Sequence, residues 1–309
     1  MDDHPQSAVN SVGEAPRDRE AQLPLWPSEG GANPAVPDAA VSGEATAEDS
    51  RPGPVAGTAP ESLAAPAEPP WKFSDLGLFL LFAVMALLVA NSVATGLYLV
   101  LAGRLGGNVR LDAVQSQAPY LVLMQVIWES LWFLFIYYTI TAKYRRGFWE
   151  AIRWVSPQRG SKTFLLAGIG LAVAIQAIFS FFPSEEPLPI ERLFSSPEAG
   201  YLLAFFGIAV APFMEELVFR GFFYPVFERR WGITAAVALT ALLFALIHAP
   251  QLSGSYAEMT AIFLVGLALS YTRGRTRSLV PSYLMHLGYN ASLFVSLYLA
   301  TDRFRALQG

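Results

Sequence analysis

The sequence predicts an all-α, polytopic membrane helical bundle of about seven spans with a disordered N-terminal tail. Three observations predict it. Of the 309 residues, 53% are hydrophobic and only 15% charged, whereas a soluble domain carries about 25% charged residues. The apolar residues fall in long blocks, several of which reach the roughly 20 residues that a spanning helix needs. Charge is segregated: residues 1–70 hold 12 Asp/Glu and 3 Lys/Arg, and residues 71–309 hold 13 and 18.

The tail, residues 1–70, is rich in Ala, Pro, Gly, Glu and Ser. Too few bulky apolar side chains are present to offset the entropy of ordering it. Its start, MDDHPQSAV, lacks the basic and apolar regions of a secretory signal. The chain has no cysteine, which excludes disulfides, thiolate metal sites and cysteine nucleophiles. No basic stripe interleaved with aromatics lies outside the apolar blocks, so no nucleic-acid partner is expected.

Seven apolar segments follow, at about 75–102, 119–142, 163–182, 199–227, 231–248, 257–272 and 279–300. They divide into two N-terminal helices with a basic loop (71–160) and a core (161–302). Loop 143–162 carries Lys143, Arg145, Arg146, Arg153, Arg159 and Lys162, and the next loop, 183–198, has four acids and one base. Arg229 and Arg230, then Arg273, Arg275 and Arg277, continue the alternation. Basic loops stay in the cytoplasm, which places the N-terminus there and, with seven spans, the C-terminus outside. The aromatic residues are expected to anchor the spans at lipid and interface.

Ionisable groups inside such spans are costly, at roughly 2.5–3.5 kcal/mol each on insertion scales, and mark functional sites. In APFMEELVFRGFFYP, Glu216 and Arg220 are four apart and share a helix face on which they can pair. Glu215 points about 100° away and has no local cation, which leaves it available as a general base or acid. Phe244 and His248 in FALIHAP, and His286 and Asn290 in LMHLGYN, are also four apart. Polar groups in lipid turn towards the bundle interior, so three helices can converge on one pocket. Glu129, with Gln125 one turn earlier, suits a structural hydrogen bond, with a substrate or channel role as the alternative. A straight-helix count at about 1.5 Å per residue puts Glu215, His248 and His286 at roughly 20, 25 and 10 Å from the cytoplasmic side, which disagrees with a shared pocket.

EELVFR fits EExxxR, FALIH fits FxxxH and HLGYN fits HxxxN, in that order on successive segments. Over about residues 163–300 this resembles the CAAX prenyl endopeptidase and bacteriocin-immunity (CPBP, Abi) family of intramembrane proteases. The resemblance implies that Glu215 activates a water that His248 helps to hold. It implies that His286 and Asn290 stabilise the oxyanion, and that Glu216 and Arg220 support the site. It further implies a membrane-associated protein or peptide substrate, with prenylated CAAX peptides as the namesake. Glu215, His248 and His286 would be the ligands if zinc is used. However, no HExxH is present, and a metal-free glutamate mechanism suits Asn290 better. Two other readings stand beside the peptidase: a non-catalytic immunity or scaffolding protein of the same fold, and a proton-coupled transporter.

Overall fold

The structure, a computed structural model, describes residues 69–104, 117–157, 160–181, 193–194, 196–252 and 255–305. Residues 1–68 of the expected tail, and most of the acidic loop, lie outside this set. The described residues contain helices and no strand. The helices are α1 (Phe73–Arg104), α2 (Ala118–Tyr138), a short α3 (Phe148–Ala151), α4 (Ser161–Phe179), α5 (Pro197–Phe205), α6 (Ala211–Glu216), α7 (Tyr224–His248), α8 (Tyr256–Thr276) and α9 (Leu279–Ala300).

Every expected apolar segment is helical. Phe73–Leu101, Ala118–Lys143, Ser161–Phe179 and Pro197–Leu252 are long and apolar enough to cross a membrane. The last is 56 residues long and turns a corner at Gly232, where φ is 79° and ψ 175°. Only glycine adopts that conformation readily, and the corner falls at the start of the expected fifth segment. Helices α8 and α9 are more polar, and their polar side chains Ser270, Arg273, Ser282 and His286 are buried. Large apolar side chains such as Leu81, Val84, Leu88, Leu134 and Leu166 lie exposed, an arrangement that suits lipid rather than water.

Helices α1 and α2 form an antiparallel hairpin. Near one end Asp75 accepts from Lys143 and Tyr144. In the middle the Trp128 indole donates to the Ala83 carbonyl at 2.8 Å, and towards the other end Tyr120 donates to Asn91 at 2.7 Å. The aromatics correct the expectation of lipid anchoring only in part, since Tyr138, Trp149, Phe205 and Trp231 do lie exposed. Trp71, Phe79, Phe222, Phe223 and Tyr224 are buried together in the core, because edge-on and stacked ring contacts such as Phe79–Trp132 and Trp71–Phe222 join α1, α2 and residues 217–224.

Helices α4 and α9 cross more closely than side chains allow. A Cβ on Gly168 would stand 1.9 Å from the Met285 carbonyl oxygen, and one on Gly288 would stand 2.3 Å from that of Leu165. Small residues permit such backbone approach between membrane helices, and here it sets the position of α9. Gly168→Val is expected to destabilise the protein by roughly 1–3 kcal/mol through overpacking, read as a lower unfolding temperature in detergent. Gly170→Val, at an open position, is expected to leave that temperature unchanged.

Candidate active site

The segment bearing the glutamates is not a regular helix. A π-turn (Phe206–Val210) precedes α6 and a second (Leu217–Phe223) follows it. A proline stands just beyond each, Pro212 and Pro225. Proline in a continuing helix has no N–H to donate and clashes with the carbonyl four residues back, so the chain widens to accommodate it. Three carbonyls in these turns accept side-chain N–H groups from other segments. Asn290 Nδ2 donates to Gly207 at 2.8 Å, Arg273 Nε to Arg220 at 3.1 Å, and Trp71 Nε1 to Phe222 at 2.7 Å. Lipid offers backbone groups no water, so these bonds both satisfy the turns and lock α6 in place.

Glu216 and Arg220 form the expected i,i+4 pair, with Nη1 to Oε1 at 2.8 Å and both side chains at most 1% exposed. Each nitrogen of Arg220 donates: besides Nη1 to Glu216, Nε donates to Ser270 Oγ at 3.2 Å and Nη2 to the Gly266 carbonyl at 3.1 Å. Its Cζ also lies 4.5 Å from the Phe244 ring centre. The same Glu216 oxygen lies 3.1 Å from His286 Nδ1. A carboxylate only accepts, so Nδ1 carries the hydrogen.

Glu215 faces away from this pair, with its side chain 19% exposed. Oε2 lies 3.5 Å from His286 Nε2 and Oε1 lies 3.9 Å from His248 Nε2. His248 Nδ1 donates to the Phe244 carbonyl at 2.8 Å. That bond orients the ring and turns Nε2 towards Glu215. Glu215, His248 and His286, from three helices, thus share one cluster. The straight-rod depths fail because the chain does not run as rods: the two π-turns and the Gly232 corner shift and tilt the segments. Asn290 stands one turn beyond His286, held by Gly207.

Residues 197–292 match the family model described as type II CAAX prenyl endopeptidase Rce1-like. UPF0177 protein YbdI of Lactococcus lactis subsp. lactis (strain IL1403) is 33% identical over 88 residues. That alignment covers 28% of this chain and 45% of the relative, so the match spans under half of either protein. No solved structure matches.

The matched segment contains Glu215, Glu216, Arg220, His248, His286 and Asn290 and begins after α4, so it is narrower than the resemblance over 163–300. Helix α4 therefore serves it through the glycine crossing with α9. Together with the four long apolar stretches, the segment makes the chain an integral membrane protein. Among the described residues no group of three His, Cys, Asp or Glu is arranged to hold a metal ion, while His248 and His286 each keep Nε2 turned towards Glu215.

Glu129 lies near this site. It is 3% exposed, its Oε1 accepts from Gln125 Nε2 at 3.0 Å as expected, and its charge and that of Glu215 act on each other. Sequence reasoning did not find the π-turns, although Pro212 and Pro225 inside one apolar run were their signal. Nor did it find Ser270 and Gly266, which only the fold brings to Arg220.

Arg220→Leu leaves Glu216 buried without its cation and is expected to cost about 3–5 kcal/mol, measured as loss of folded protein on detergent gel filtration and a lower unfolding temperature. Arg220→Lys is expected to lose most of the same stability, because an ammonium cannot reach three partners in the guanidinium plane.

Proposed function

We propose that this protein is an intramembrane endopeptidase that hydrolyses a peptide bond of a membrane-associated substrate with a water activated by Glu215. One observation carries the reading. A partly open carboxylate faces the Nε2 of His248 at 3.9 Å, and Nδ1 of that ring is already committed as a donor. A neutral His248 and an ionised Glu215 are then two acceptors, and one water can donate a hydrogen to each.

The chemistry follows from this arrangement. Glu215 takes a proton as the water oxygen attacks the carbonyl carbon. The oxyanion meets the second amide hydrogen of Asn290, whose first is held by Gly207. His286 Nε2 donates there as well when the ring holds both protons, with Glu216 as the carboxylate across from Nδ1. A good oxyanion donor is worth about 2.7–4 kcal/mol in the transition state. When the intermediate collapses, the C–N bond breaks and Glu215 passes its proton to the leaving nitrogen. Glu216 and Arg220 hold His286 and touch no reacting atom. No step needs a metal.

The substrate class follows the bilayer and the family description: a membrane-associated protein or peptide, with a lipidated CAAX-type C-terminal segment as the first candidate. The N-terminal tail sits on the cytoplasmic side in this reading. A non-catalytic immunity or scaffolding role is the second reading. It is favoured by the fact that His286 and Asn290 each already make a packing hydrogen bond.

Hydrolysis of quenched fluorogenic membrane peptides, prenylated and unprenylated, by purified protein in detergent tests the proposal. Glu215→Gln is expected to lower kcat/KM by about 10²–10⁴-fold with no change in unfolding temperature. Asn290→Ala is expected to lower kcat by about 10²–10³-fold. A Glu215→Gln protein that cleaves at the wild-type rate overturns the mechanism, and a wild-type protein that cleaves none of the peptides favours the non-catalytic reading.

A further inference from the structure

A cavity of about 500 Å³ opens beside the glutamate cluster, between α2 and the stretch from the first π-turn through α6. Its walls are apolar and aromatic and include Phe133, Phe213, Met214 and Tyr283. Phe213 and Met214 immediately precede Glu215 on α6. Glu129 also lines the cavity and is near enough for its charge and that of Glu215 to act on each other. Among the described residues no lysine or arginine lines it, and all three nitrogens of Arg220 donate elsewhere.

Glu129 is anomalous there. One oxygen accepts from Gln125, and the other, Oε2, is buried with no hydrogen-bond partner. An unpaired buried carboxylate is strongly unfavourable, and the nearby charge of Glu215 adds to it. A structural hydrogen bond to Gln125 explains Oε1 and leaves Oε2 unexplained. The missing partner is a donor, and the negative surroundings favour a positive one. Aromatic walls also suit a cation carried on an apolar stem.

We infer that this cavity is a specificity pocket for a lysine or arginine side chain of the substrate close to the scissile bond, with the Glu129 carboxylate accepting from its cationic tip. The pocket uses α2, which lies outside the matched residues 197–292. The inference rests on the peptidase reading for what enters the cleft. Its test therefore reads binding separately from turnover.

Two fluorescent apolar peptides that differ only in lysine or norleucine are titrated onto the full chain carrying Glu215→Gln, in phosphatidylcholine nanodiscs. The lysine peptide is expected to bind about tenfold or more tightly, the scale of one charge-assisted hydrogen bond. Adding Glu129→Gln is expected to erase the difference. Equal affinity of the two peptides, a lysine preference that survives Glu129→Gln, or binding of neither overturns the inference. If Glu129→Gln aggregates, Ser130→Phe keeps the carboxylate and fills the cleft, and undiminished lysine-peptide binding by that variant overturns it. Displacement of the lysine peptide by phosphatidylethanolamine in the discs would make a lipid amine the occupant and also sink the assignment. Cleavage by the wild-type protein without lysine preference leaves the peptidase standing and removes the pocket, whereas lysine-selective binding without cleavage does the reverse.

Discussion

One oxygen organises this protein. Glu216 Oε1 receives Arg220 at 2.8 Å and His286 at 3.1 Å, which ties α6, the second π-turn and α9 to a single buried charge. Arg220 extends the tie to α8 through Ser270 and Gly266. A carboxylate and a guanidinium in a lipid-shielded interior need partners, and here Oε1 takes two while Oε2 has none. That requirement fixes where Arg220 must sit, and with it where His286 points. Glu215, the next residue in sequence, is left facing the other way with two imidazoles before it. One acid is spent on architecture so that its neighbour stays available.

The backbone follows the same economy of partners. Each π-turn has a proline behind it and a carbonyl taken by a distant side chain. Asn290 satisfies Gly207 and so ties α9 to the first of these turns. The crossing of α4 over α9 through Gly168 and Gly288 fixes the position of the helix that carries both Asn290 and His286.

Much of this could be read from the chain itself. Apolar block lengths gave all seven helical segments, because span length is set by bilayer thickness. The i,i+4 spacing of Glu216 and Arg220 identified their pairing, and the same geometry turned Glu215 aside. What could not be read depends on contacts between remote residues. Trp71 against Phe222, Ser270 against Arg220, and Glu129 beside α6 are juxtapositions that no local pattern encodes. The aromatics read as lipid anchors because composition cannot tell a ring in the core from a ring at the interface. The depth count failed for a different reason: it treated as straight a segment that holds two prolines and a glycine corner.

A π-turn amounts to one extra residue threaded into a helix and absorbed within a single widened turn. Deleting a single codon within 206–210 would let the segment close into a regular α-helix of nearly the same length and hydropathy. The glutamates would keep nearly the same facing, and the loss would fall on the turn itself: the Gly207 carbonyl that Asn290 now reaches would turn back into the helix ladder. A homologue one residue shorter there would carry the same motif letters with Asn290 released from its tether.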